Sequence, residues 1–197
     1  MNHLAHALLA GANDDLLLGG LLGDFWRGAP DSAWPAGVRD GVILHRRIDV
    51  YTDSHPVVAA ARALFDSPLR RYAGILIDIY FDHVLAREWA HHSDESLDAL
   101  SARTADLLDR HAAWLPADLN RFARYFRMHG LFGAYAQRAT IEQVLAGISA
   151  RLHHANPMAG AGPALWVRAD ALDEAFARFF PDLTAYARKL RADREVG

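Results

Sequence analysis

The sequence predicts an all-α protein folded as a single compact multi-helix domain. Apolar residues recur at the three-to-four spacing of one helix face over most of the chain. No stretch of useful length alternates apolar and polar residues as a half-buried strand does. With no internal repeat and no linker-like run, residues 1–197 read as one domain of about eight to ten helices.

Residues 2–10 form a short apolar helix stopped by Gly11, with Asn13 or Asp14 as the cap of the next. That second segment runs through Leu16–Leu22 to Trp26 and breaks at Gly28 and Pro30. A third helix starts near Pro35 or Ala36 and runs through His45 and Asp49 to about Asp53. Pro56 at a first helical position, with Ser54 as its cap, opens a fourth. Residues 69–91 carry the strongest periodicity, with Tyr72, Ile75, Ile79, Asp82, His83 and Ala86 at helical spacing. Residues 95–113 repeat Leu97, Leu100, Ala105 and Leu108 between charges, and helices over 116–128 and 139–154 follow. The stretch from Asn156-Pro157 to Gly162-Pro163 reads as a loop. Two last helices, 168–180 and 182–193, are divided at Pro181.

Composition narrows the function. A chain that is 52% apolar and 23% charged is globular, and 197 residues suffice for a full core. The formal charge of −3 supplies no general attraction to nucleic acid. The absence of cysteine excludes disulfides, iron–sulfur clusters, thiolate zinc sites and a cysteine nucleophile. The longest apolar run, Leu16–Leu22, is broken by Gly19 and Gly20 and falls far below the roughly 20 residues a bilayer needs. No basic leader or cleavage pattern is visible, so a cytoplasmic protein is expected. Phosphate-cradling glycine motifs and the G-x-S-x-G elbow are also missing.

What remains is oxygen-rich, histidine-containing chemistry. His45 lies one turn before Asp49, and Asp78 one turn before Asp82, with His83 at the edge of that face. Carboxylates among Ile, Leu and Phe are costly to bury unless something positive compensates them. A metal ion shared between helices does so most simply; a salt bridge from Arg70, Arg71 or another arginine is the structural alternative. Asp24, flanked by Leu22, Phe25 and Trp26, is either a ligand or a helix-end carboxylate paired with Arg27. His6 and His3 are one turn apart at the start of the chain, where histidines also often lie simply exposed. Arg46 and Arg47 offer planar donors to phosphate oxygens, or form an ordinary solvated turn. The residues together point to a helical metallohydrolase acting on phosphoesters, its ion held by His, Asp and Glu alone.

Four segments then carry a resemblance: Met1-Asn2-His3-Leu4-Ala5-His6, Gly23-Asp24-Phe25-Trp26-Arg27-Gly28, His45 to Asp53, and Asp78 to His83 with Trp89. In that order they resemble acyl carrier protein phosphodiesterase, densely to about residue 90 and more loosely to Trp166 and Phe179-Phe180-Pro181. The resemblance implies a bacterial cytoplasmic enzyme of the helical HD-phosphohydrolase-like type. It implies hydrolysis of the phosphodiester joining 4′-phosphopantetheine to a serine of holo-acyl carrier protein. It also implies a divalent cofactor, Mn2+ first, with Mg2+, Fe2+ or Zn2+ as alternatives.

The adjacent pair here runs Asp82-His83, the reverse of the His-Asp order in HD enzymes. Local chemistry therefore assigns the ligands: Asp24, His45, Asp82 and His83 around the metal, with His6, Asp49 and Asp78 as further ligands or supports. Asp24 and His83 are also the catalytic candidates, with His83 or His6 as proton donor and Arg46 or Arg47 neutralising the phosphodiester. Acyl carrier proteins are small and acidic, so docking needs a basic face; Arg46/Arg47, Arg70/Arg71 and the series Arg121, Arg124, Arg127 are candidates. Two other readings stay open: a phosphohydrolase for a nucleotide or other small phosphoester, and a helical binding protein that performs no chemistry.

Overall fold

Helix α5 (Ala73–Arg87) is the axis of the fold, apolar on nearly every side, as a helix enclosed by others must be. The structure, a computed structural model, describes residues 1–195; the two residues that complete the expected domain lie outside the described residues. Among the described residues there are eleven α-helices, three short 3-10 turns and no strand. Around α5 pack α1 (His3–Leu9), α4 (Pro56–Ala63), α9 (Arg138–Arg151) and α11 (Ala169–Glu195). Its sequence explains this: Leu76, Ile77, Tyr80, Phe81 and Leu85 are all completely buried. Ile75 is the exception, 37% exposed although it sits in the expected apolar series. No helix of the described residues is long and apolar enough to cross a membrane.

The tightest pairing joins α2 (Asp14–Leu22) to α3 (Ala36–Ser54). Asn13 caps α2 by accepting the Leu16 N–H at 3.0 Å, as its side chain suggests. Gly19 and Gly41 make the close approach possible. A Cβ on Gly19 would stand 2.1 Å from the Val38 carbonyl oxygen and 2.6 Å from the Gly41 Cα, both backbone atoms unable to swing away. Gly19→Ala is therefore expected to separate the two helices and lower stability by about 1–3 kcal/mol. Urea denaturation checks this; an unchanged midpoint would show that the helices tolerate the shift.

Other elements differ from expectation in instructive ways. Helix α4 is capped by His55, whose Nδ1 accepts the Val57 N–H at 3.3 Å, and not by Ser54. The loop expected around residues 156–163 instead contains a 3-10 turn, Met158–Gly160, and the short helix α10 (Gly162–Trp166). A four-residue helix, α8 (Leu131–Ala134), follows the left-handed Gly130 that ends α7 (Ala117–His129). The division at Pro181 does not occur. Helix α11 runs through it without a break, because α11 lies against α3, α4 and α5, and this packing outweighs one missing backbone hydrogen bond. Helix α6 (Leu97–Arg110), capped by Ser96, completes the side of the bundle with α7 and α8.

Candidate metal centre

Helix α1 is only seven residues long and its own N-cap residue, Asn2, makes no capping bond. Its first turn is held from another helix. The Leu4 N–H donates to Asp82 Oδ2 at 2.8 Å and the Ala5 N–H to Asp82 Oδ1 at 3.1 Å. A buried carboxylate at a helix N-terminus meets orphan donors and the positive end of the helix dipole, which compensates it without an ion. Burial pushes the Asp82 carboxyl up to about 7, against the pull of these two N–H groups.

Fixing α1 in this way aims His6 at α3. His6 Nε2 lies 3.1 Å from Asp49 Oδ1, and His45 Nε2 lies 3.1 Å from Asp49 Oδ2. The two imidazoles stack with centroids 3.8 Å apart. A ligand atom from each of His6, His45 and Asp49 falls within 4.8 Å of the others. On α3 this is the i, i+4 spacing of His45 and Asp49 made real. Gly23 gives His45 its room, since a Cβ there would stand 2.3 Å from the imidazole ring.

Asp24, in the turn after α2, completes the cluster. Its Oδ1 is 3.7 Å from His45 Nε2, and its Oδ2 is 3.0 Å from His3 Nδ1. The turn is pinned by Trp26, whose Nε1 donates to the Ala29 carbonyl at 2.8 Å, and by Arg46, which donates to the Trp26 carbonyl at 3.0 Å. Arg46 thus spends a donor on holding the Asp24 segment, while Arg47 is exposed.

Burial and the neighbouring charges together set the protonation tendency of each group. Burial, followed by the neighbouring His45, pushes His6 down to about 4, so this ring stays neutral and able to ligate. Burial also opposes the charge on His45, but the hydrogen bond to Asp49 and the charge of Asp24 outweigh it and raise that imidazole. Burial works against ionised Asp24 and Asp49 too, yet His3 for the first, and His45 with His6 for the second, hold both carboxyls well below the usual range. Two imidazoles and two ionised carboxylates with no sulfur fit Mn2+, Fe2+ or Zn2+ better than Mg2+, which favours an all-oxygen shell.

The remaining sequence candidates stand elsewhere. Asp78 Oδ1 lies 3.2 Å from the Met1 ammonium, which also approaches Asp49 Oδ1 at 3.5 Å. Burial raises the Asp78 carboxyl against that ammonium. His83 hydrogen-bonds through Nδ1 to the Tyr135 carbonyl oxygen at 2.8 Å and packs against Trp166 and Tyr80. Neither Asp82 nor His83 belongs to the convergent group of ligand atoms. In the basic series, Arg121 pairs with Asp118 and Arg127 with Asp109, which leaves them weaker docking cations than their spacing suggests. The sequence gives His6 a place among the ligands or supports and His3 none. Their spacing of one turn was the available signal, but only the fold sets His3 against Asp24.

The sequence model of acyl carrier protein phosphodiesterase matches residues 1–183. The chain belongs to this family. The acyl carrier protein phosphodiesterase of Enterobacter sp. (strain 638) is 36% identical over 191 residues, covering 95% of this chain and 98% of the relative. That of Yersinia pestis is 34% identical over 190 residues, with 95% and 98% covered. The acyl carrier protein phosphodiesterase of Photorhabdus laumondii is 34% identical over 182 residues, covering 92% of each chain. No solved structure matches. Among acyl carrier protein phosphodiesterases the chain is therefore aligned almost end to end, and the match includes His3, His6, Asp24, His45 and Asp49 within its span.

Proposed function

We propose that this protein is a metal-dependent phosphodiesterase that cuts the 4′-phosphopantetheine–serine bond of holo-acyl carrier protein, releasing apo-protein and 4′-phosphopantetheine. The observation that carries the reading is the convergence of His6, His45 and Asp49 on one point beside Asp24. A divalent cation held there, Mn2+ being the first choice, supplies an electrophile for phosphoryl oxygens and a source of hydroxide near neutral pH.

The chain's own residues divide the remaining work. Hydrolysis places a water oxygen on phosphorus and breaks the bond from phosphorus to the serine oxygen, which must gain a proton as it leaves. His3 is assigned that proton. Its Nδ1 rests against Asp24, and its ring lies 4.4 Å from Phe122 and 6.0 Å from Phe25, so the imidazole is oriented from two sides. Asp24 is a poor proton acceptor because its carboxyl is held so far down. Its role is to orient His3 and add negative charge beside His45. Arg46, tied to the Trp26 carbonyl, holds this arrangement in place, and the exposed Arg47 is the cation of the pair assigned to the phosphodiester.

The test is intact-mass analysis of holo-acyl carrier protein after incubation with the protein and Mn2+. The expected result is loss of the whole 4′-phosphopantetheinyl mass, abolished by EDTA and by Asp24→Ala. An unchanged mass with the metal-loaded wild type would remove this substrate, and hydrolysis of a nucleotide panel would then decide for a small phosphoester.

A further inference from the structure

A groove of about 480 Å3 opens directly beside the centre, between the first turn of α1, the turn after α2, and helices α7 and α9. That size lies within the ~300–1,000 Å3 of ordinary small-molecule sites. His3 and Asp24 form one end of it, so the groove and the centre share two residues. Phe25, Phe122, Leu131, Val144 and Ile148 supply apolar walls. Asn2, Gln143, Tyr125 and Tyr135 supply hydrogen-bonding groups between them. Arg151 also lines it.

We propose that this groove receives the pantetheine arm, the neutral chain of methylenes and two amides that follows the phosphate, an assignment that rests on the function proposed above. The chemistry agrees at each point. The phosphate stays at the centre, where His3 and Asp24 are, and the arm leaves along a wall that is apolar with a few amide and hydroxyl partners. Asn2 and Tyr135 are already paired, Asn2 Nδ2 donating to the Tyr135 hydroxyl at 3.1 Å, which fixes both for recognition.

Gly147, exposed on the lining of the groove, is the position at which the assignment can be probed. It lies inside helix α9, where glycine is less favourable than alanine, and it lines the groove. A Cβ built on it meets no atom within 4 Å. No part of the protein occupies the space this glycine leaves open. A larger side chain here would enter the path of the arm.

The experiment compares the Mn2+-loaded wild type with Gly147→Ala and Gly147→Leu by calorimetric titration of 4′-phosphopantetheine and of inorganic phosphate. The wild type is expected to prefer 4′-phosphopantetheine by at least about tenfold, since the arm adds contacts that phosphate lacks. Gly147→Leu is expected to bring the two affinities to near parity, with phosphate binding unchanged and the melting temperature not lowered. Gly147→Ala, the smaller change, should fall between. A wild type without preference, or a preference unchanged in Gly147→Leu, overturns the groove assignment. Holo-acyl carrier protein is incubated with the same wild-type sample. Cleavage with an unchanged preference removes the groove alone, whereas no cleavage removes the proposed substrate and the groove with it.

Discussion

His45→Ala is expected to reduce turnover of holo-acyl carrier protein by about 10²–10⁴-fold, since a catalytic cation stabilises the transition state by several kcal/mol. His45 is the ligand whose loss is hardest to replace. It sits between Asp24 and Asp49 and stacks on His6, so its removal leaves both carboxylates and the His6 ring without their shared neighbour. Activity alone would not separate a lost ion from a distorted pocket. The decisive measurement is thermal unfolding with and without Mn2+. An ion bound only by the native state stabilises it by about 2.7 kcal/mol at one hundred times its dissociation constant. The wild type should show that rise and His45→Ala should not. A variant that keeps both the Mn2+-dependent rise and its turnover would place the metal elsewhere.

Asp82→Ala is expected to lower stability by about 2–5 kcal/mol, because it leaves two buried N–H donors, those of Leu4 and Ala5, without a partner. For a chain of 197 residues this corresponds to a fall in Tm of roughly 5–15 °C. Mn2+ affinity should fall too, since α1 carries His6. Asp82→Asn is informative for a different reason. Each carboxylate oxygen accepts one N–H, so an amide necessarily turns its NH2 toward a donor. The pH dependence has a defined sign. Burial raises the Asp82 carboxyl from 3.8 to about 7, so its favourable contribution is complete below 3.8 and is lost as pH rises through 7. The stability gap between wild type and Asp82→Asn should therefore narrow from pH 4 to pH 8. A gap that widens over that range would show that the carboxylate is better satisfied than its burial suggests.

These two residues also mark what the sequence could reveal. His45 and Asp49 are one helical turn apart, and local spacing alone places them together on α3. The acids of α5 were equally visible, but their partners were not. Asp82 finds the N-terminus of α1 and Asp78 finds the Met1 ammonium, each more than seventy positions away. The need for compensation was legible, whereas its source was a matter of tertiary structure. The same holds for Pro181, where local chemistry argued for a break and packing against α3, α4 and α5 kept α11 whole. Most helices could be placed because the apolar period of each is written in its own residues. The short α8 and α10 escaped because helices of four and five residues carry too little periodicity to recognise. The groove was invisible for the same reason as Asp82: Phe25, Phe122 and Ile148 become neighbours only in the folded chain.

The anchoring of α1 on Asp82 has a consequence for how the protein is made. Leu4 and Asp82 are 78 positions apart, and His6 and Asp49 are 43. A seven-residue helix has almost no stability in isolation, so α1 does not exist as a prearranged piece waiting for the others. His6 therefore acquires its place only once α5 is present to hold the first turn of α1. The centre is thus completed from outside itself, by a carboxylate that takes no part in it.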